Sequence, residues 1–284
     1  MKKAFTILLV ITAAATYAQP KIITQAMITT KTTIVAPERD EQPAGSFTTE
    51  SGEQVRIMRF GGDGETKTTT WLKNDLIKTL SESEMAVSTT IRDNAKKLTT
   101  TIMEVMGRKS GFYSTDEDQA EMRKRMDSMM STRSQNGNFS IDRSPAAYSI
   151  TYLDDAKKIS GYNCKKAFVI GTMSSGKTDT TAVWYCPDFK MQGLVNTGGN
   201  AGGGFGGFTQ SAGLSGMEEL AGFPMQYERN MRNGAKMTVL VTKLVIDKEV
   251  ADKEFEIAKD IEIKPLKDMQ NGAGPGFQIR VAGQ

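Results

Sequence analysis

The chain has 284 residues, 36 basic and 33 acidic side chains, and a net charge of +3, two units of which come from Lys2 and Lys3. Near-neutrality gives no electrostatic case for nucleic acid. There is no histidine, which removes His-based acid–base catalysis, Ser-His-Asp triads and the commonest metal ligand.

The N-terminus comes first in chain order and decides the compartment. Lys2 and Lys3 are followed by the apolar run Ala4–Ala15, and Thr16-Tyr17-Ala18 then offers a small residue before Gln19. This is the pattern of a secretory signal peptide, with cleavage expected between Ala18 and Gln19. The run is too short for a bilayer anchor, and no cysteine near the cleavage point offers a lipid attachment site. A processed chain is therefore expected in the periplasm or outside the cell, with no transmembrane segment. Residues 19–54 read as an N-terminal strand, rich in Ile and Thr over Lys21–Val35, with a linker.

From residue 55 to 265 strand patterns dominate. Val55–Phe60, Thr66–Leu72, Ile77–Leu80, Met85–Arg92, Lys97–Val105 and Ser110–Tyr113 follow one another across short turns. In the fourth of these, Met85, Val87 and Ile91 share one face; Ser88, Thr90 and Arg92 share the other. Tyr148–Leu153, Ala167–Ile170, Ala182–Tyr185, Met225–Glu228 and Met237–Ile246 continue the series. Such closely spaced, alternating strands predict an antiparallel meander in a mainly β (α+β) fold.

One segment reads as a helix. Ser114-Thr115-Asp116-Glu117 has the form of a capping box with Ser114 as the cap. Met122, Met126, Met129 and Met130 then recur at i, i+4, i+7 and i+8, opposite Glu121, Lys124, Arg125 and Asp127. Two roles fit this methionine stripe: packing on the sheet, or a movable lid over an apolar groove, since methionine adapts to varied partners. Residues 196–216 are Gly-rich and read as a flexible loop, in which Phe205 and Phe208 leave peripheral membrane contact open. A short helix over Met217–Leu220 follows, and residues 266–284 read as a loose tail.

Cys164 and Cys186 are the only cysteines. A hairpin folded about Ser175 sets them opposite one another, within reach of a cross-strand disulfide in an oxidising compartment. Closing that loop stabilises a fold by ~3 kcal/mol in the chain-entropy account.

Gly171-Thr172-Met173-Ser174-Ser175-Gly176-Lys177-Thr178 matches the phosphate-loop pattern G-x-x-x-x-G-K-T. That chemistry needs a helix beginning at the Thr. The following Asp179–Tyr185 is β-branched and aromatic, so a hairpin turn is expected, and nucleotide binding is a distant alternative. No catalytic, cofactor or metal set emerges, and the chain is read as a non-enzyme that needs no cofactor.

Gly62–Asn74 with Ser88–Tyr113 resembles the strand series of the periplasmic lipoprotein-carrier (LolA/LolB-like) fold. Lys158–Lys166, containing Ile159-Ser160-Gly161-Tyr162-Asn163-Cys164-Lys165-Lys166, resembles the I-x-G-Y-x-C-x-K signature of domain of unknown function 4412, related to the GLPGLI proteins. Thr181–Cys186 resembles that family's Trp-bearing strand, Leu220–Met225 its L-x-G-x-P segment, and Val250–Lys264 its closing F-x-I stretch, with Ala258-Lys259-Asp260 where Pro and Gly are expected. The resemblance implies a half-open antiparallel β-barrel with covering helices and an apolar concavity. It names no activity. The functional expectation is a hydrophobic ligand, a lipid or a lipoprotein acyl chain, held in the concave sheet. The alternative is an envelope protein–protein interaction module.

Overall fold

A computed structural model describes residues 19–36, 46–48, 54–56, 64–84, 86–105, 107–134, 147–173, 175–191, 216–230, 234–246, 248–258 and 261–270. The expected signal segment 1–18, the Gly-rich stretch 196–215 and residues 271–284 lie outside these residues.

The elements in chain order are β1 (Lys21–Ile23), β2 (Gln25–Val35), β3 (Ser46–Thr48), β4 (Gln54–Arg56), β5 (Gly64–Lys73), β6 (Leu76–Glu82), β7 (Ala86–Asp93), β8 (Leu98–Val105) and β9 (Arg108–Thr115). Then come α1 (Asp116–Ser134), β10 (Ala147–Ile159), β11 (Tyr162–Thr172), β12 (Thr178–Cys186), β13 (Phe189–Met191), β14 (Phe223–Asn230), β15 (Lys236–Val245), β16 (Ile263–Pro265) and α2 (Leu266–Gln270). Among the described residues twelve strands form one sheet, in the order β10-β11-β12-β14-β15-β2-β5-β6-β7-β8-β9-β16. Every neighbour pair is antiparallel except β16 on β9. The expected meander is the run β5 to β9, joined by tight turns in which Asn74 and Lys97 take positive φ.

The sheet is curled rather than flat. The β10–β11 turn, Ser160-Gly161, has positive φ at both residues, the type that suits the right-handed twist of a hairpin. The Ser160 hydroxyl donates to the Val241 carbonyl of β15 at 2.7 Å, past β12 and β14. Lys157 of β10 likewise reaches Gln226 of β14, at 2.7 Å. β10 and β16 remain the two edges, so the barrel is half-open.

Cross-strand partners point to the same side, so the register sorts side chains onto two faces. One face carries Leu72, Ile77, Ile28, Val239, Tyr227, Val183, Ala167 and Val169. These form most of the core, which β1 and β13 extend through Ile23, Phe189 and Met191. The opposite face of β2, β5 and β6 is crossed by residues 248–258. The Val250 amide donates to Gln25 (3.2 Å), and Lys73 donates to Glu249 (3.3 Å) and Asp252 (2.7 Å). That strap delivers β16 to the β9 edge. Residues 266–270, expected to be loose, instead form the short α2.

Candidate ligand-binding face

The face of Leu72 changes character along the sheet. Over β11, β12, β14 and β15 it is aliphatic and aromatic, and it is closed from above by residues 216–222. Met217 and Leu220 are buried there, Gly216 lies against the Tyr148 ring, and the Ala221 amide donates to the Tyr152 hydroxyl at 3.0 Å. The expected short helix at Met217–Leu220 is a single 3-10 turn, Met217–Glu219. Gly222 is required in this closure: a Cβ there would stand 2.0 Å from the Cys186 carbonyl oxygen, a backbone atom that cannot rotate away.

Over β5 to β9 the same face is built from hydroxyls. Register places Thr68 beside Ser81, Thr70 beside Thr79, and Ser81 beside Ser88. Thr68 and Ser81 hydroxyls are 3.2 Å apart, and those of Thr70 and Thr79 3.5 Å apart. Thr30, Thr68, Thr70, Thr79, Ser81 and Ser88 are all buried. Pairing side chain to side chain offsets the cost of removing them from water. At the β8–β9 end Thr101, Met103 and Phe112 continue this face and are half-buried.

Helix α1 starts over that end. Its cap is Thr115 rather than Ser114. The Asp118 amide donates to the Thr115 hydroxyl (3.1 Å), and the Thr115 amide donates to the Asp118 carboxylate (2.9 Å). The box is displaced by one residue because Ser114 still belongs to β9, where its side chain accepts from Gln119 (3.1 Å) on the sheet side of the helix. The Thr115 amide holds the Asp118 carboxyl below its ordinary pKa, against the opposing effect of burial.

Gln119 also donates to Thr99 (3.2 Å). Arg92 completes the attachment: its two terminal nitrogens donate to the two Asp116 oxygens at 2.6 and 3.0 Å, and its Nε donates to Asn94 at 2.9 Å. The start of α1 is thus pinned to the sheet by a bidentate guanidinium–carboxylate pair and an amide. Sequence reasoning missed this pin. The one available signal was Arg92, a long cation on the Ser88–Thr90 side of its strand.

Of the methionine stripe, Met122 is half-buried. The side chains of Met126, Met129 and Met130 lie outside the described residues. The helix is 19 residues long, about 28 Å, enough to cross several strands at about 4.8 Å spacing.

On the other face, Lys157 lies 4.2 Å from the Trp184 ring centre and Lys166 5.6 Å from it. Burial pulls the Lys157 ammonium below its ordinary pKa. A separate open cleft of about 430 Å³ is lined by Thr29, Lys31, Glu65, Lys67, Glu82 and Thr242, a charged lining unlike an acyl-chain site.

The phosphate-loop pattern is a hairpin turn. Thr178 opens β12 instead of a helix, and Gly176, at φ 80°, closes the turn. Among the described residues no helix N-terminus is aimed at the loop, so the nucleotide alternative loses its geometric basis. Cys164 and Cys186 are both buried free thiols, and burial raises both pKa values, that of Cys186 to about 12. The expected hairpin register holds: Lys165 faces Tyr185 and Thr172 faces Thr178. Among the described residues no group of His, Cys, Asp or Glu is arranged to hold a metal ion. No described helix is long and apolar enough to cross a membrane.

The sequence profile described as "Domain of unknown function (DUF4412)" matches residues 54–261, which takes in β4 to η-turn Asp252–Phe255 and most of the sheet. The chain belongs to this family. No curated protein matches it in sequence. Similar solved structures include PNGF-II in space group C2 (14% identity, TM-score 0.34, covering 87% of this chain and 32% of that one). MucB is another (9% identity, TM-score 0.38, 86% and 60%). A putative outer membrane lipoprotein-sorting protein domain from Vibrio parahaemolyticus is a third (8% identity, TM-score 0.26, 82% and 89%). This DUF4412 chain spans about a third of PNGF-II and three fifths of MucB. At these scores the likeness is loose.

Proposed function

We propose that this DUF4412 protein is exported to the cell envelope and binds an amphipathic, lipid-like ligand there, without catalysis. The site is the β7–β9 end of the Leu72 face beneath α1. The observation that carries the reading is the make-up of that end. Met103 and Phe112 are half-buried beside Ser88, Thr101 and Ser110, near the start of a helix pinned at its first turns by Arg92–Asp116 and Gln119. A floor with two apolar side chains among Ser and Thr suits a molecule with an acyl part and a polar part. Met122, half-buried on the helix above, adds an adaptable apolar side chain to that end. The basic start, apolar run and Ala18-Gln19 junction support export.

The test uses the full chain expressed with its leader. Envelope-recovered protein is extracted for lipids and titrated with an apolar fluorescent dye. Phe112→Asp places a charge on a half-exposed floor position, where folding tolerates it and an apolar ligand does not. Dye binding weakened tenfold or more with an unchanged circular dichroism spectrum supports the site. Unchanged binding, or no lipid and no dye bound by the parent protein, sinks it.

The interaction-module reading keeps one observation of its own. Edge strand β10 shows Tyr152 at 45% exposure, unusual for an aromatic that also packs edge-on to Tyr185 at 5.5 Å. A protein that binds no lipid but captures a partner strand at β10 would favour it.

A further inference from the structure

The β11–β12 hairpin fixes which of its residue pairs can be bridged. The Gly176 amide donates to the Met173 carbonyl (2.9 Å), and the Met173 amide donates to the Lys177 carbonyl (2.8 Å). With Gly176 at φ 80°, this is a three-residue loop ending in a glycine bulge. Met173 and Lys177 are therefore a hydrogen-bonding pair. Antiparallel ladders alternate, so Gly171–Asp179, Val169–Thr181, Ala167–Val183 and Lys165–Tyr185 are hydrogen-bonded as well. Carried one step past the last paired residues, the same alternation sets Cys164 and Cys186 as a non-hydrogen-bonded pair.

That parity matters. Non-hydrogen-bonded partners bring their Cα atoms to about 4.5 Å, against about 5.5 Å in the other type. Both spacings lie within the 4.4–6.8 Å that a disulfide requires, and the non-hydrogen-bonded pair brings the two side chains closer together. The two side chains share one face, with Lys166 and Trp184, and are 1% and 0% exposed. The sulfurs make local contacts, Cys164 with the Tyr162 carbonyl at 3.6 Å and the Ile159 backbone, Cys186 with the Asp188 carboxylate at 3.7 Å and backbone. The ladder needs a fastening here, because Pro187 has no N–H to continue it. Directly beyond is Phe189, between Tyr162 (5.5 Å) and Phe223 (5.7 Å), and it carries β13, the partner of β1.

We infer that Cys164 and Cys186 are oxidised to a single cross-strand disulfide. It fastens β11 to β12 where Pro187 ends the ladder and holds the seat of the β1–β13 pair. The oxidant is the disulfide of a thiol–disulfide oxidoreductase, and its supply rests on the export reading above. One cysteine thiolate attacks the enzyme disulfide and displaces an enzyme thiolate. The second cysteine, losing its proton, attacks the mixed disulfide and forms the Sγ–Sγ bond. Two protons and two electrons leave the chain, and the enzyme departs as a dithiol. In the closed sheet burial keeps both thiols protonated, so exchange belongs to the folding chain, and the finished bond is sheltered.

The experiment starts from full-length protein recovered from the envelope fraction, denatured and alkylated with or without prior reduction. Intact mass is expected to show no label without reductant and two labels with it. In the native state, reduction by dithiothreitol is expected to run at least tenfold slower than in the denatured state. The reduced protein should melt roughly 6 °C or more lower. Two labels without reductant, in protein shown by fractionation to reside in the envelope, overturn the inference. Protein found in the cytoplasm counts against export alone. Refolding in a glutathione redox buffer then decides the bond: it forms quantitatively, or the inference falls.

Discussion

Two halves of one face differ in what holds them. Over β11, β12, β14 and β15 the side chains that point to the core are Val, Ala, Tyr and Met, closed by Met217 and Leu220. Over β5 to β8 the positions in line with them are Thr and Ser, and many are as deeply buried. Apolar burial returns about 25 cal/mol per Å² removed from water. A hydroxyl pair nets only about 1 kcal/mol and serves mainly to avoid an unpaired buried group. The first half is therefore the stable seat of the domain, and the second is shaped by backbone ladders and matched hydroxyls.

The largest expected effect that tests this contrast is in the apolar half. Leu220 is fully buried in the closure of that half. Leu220→Ala is expected to destabilise the protein by about 2–5 kcal/mol, read as a lower urea midpoint. A loss under 1 kcal/mol would mean that this half is not the stable one.

Next is the polar pin of α1. The Arg92 side chain is 18% exposed, while Asp116 is more open at 41%, so the pair is only partly sheltered from solvent. Arg92→Ala is expected to cost about 1–2 kcal/mol globally. Amide exchange should quicken in the first turns of α1 and not in β11 or β12. Uniform acceleration across the sheet would show that Arg92 supports the core rather than the helix.

The smallest effect is expected at the hydroxyl floor. Thr70→Val keeps the shape and removes one hydroxyl, leaving Thr79 beside it. A change within about 1 kcal/mol is expected by urea titration, since the hydroxyl left behind is a small group next to other donors and acceptors. A loss near that of Leu220→Ala would erase the distinction between the halves.

Much of the sheet was legible because alternation survives in its strands. The face shared by Ser88, Thr90 and Arg92 was correctly separated from that of Ile91. What alternation could not show is that both faces are covered. Ser88 is buried on one side, and Ile91 is buried on the side of the C-terminal strap. A hydroxyl-bearing face reads as solvent-facing in sequence, and only its neighbours reveal that it is not. The helix cap moved from Ser114 to Thr115 for a similar reason. Both residues have capping chemistry, and the β9–β8 ladder, extending to Thr115 opposite Leu98, decided which was used.

By itself the sequence determined the class of fold, the β11–β12 hairpin register that sets Lys165 opposite Tyr185, and the rejection of a phosphate loop at Gly171–Thr178. All three follow from local preferences: period-two patterns, turn residues, and a β-branched run where a helix was needed. The tertiary structure alone decided the strand order that sets β2 between β15 and β5, and the curl that carries Ser160 to Val241. It also decided the strap over Gln25 and Lys73 and the pin of Arg92 on Asp116. These join residues far apart in the chain, and no short-range pattern encodes which distant partner a strand edge or a lone charge will meet.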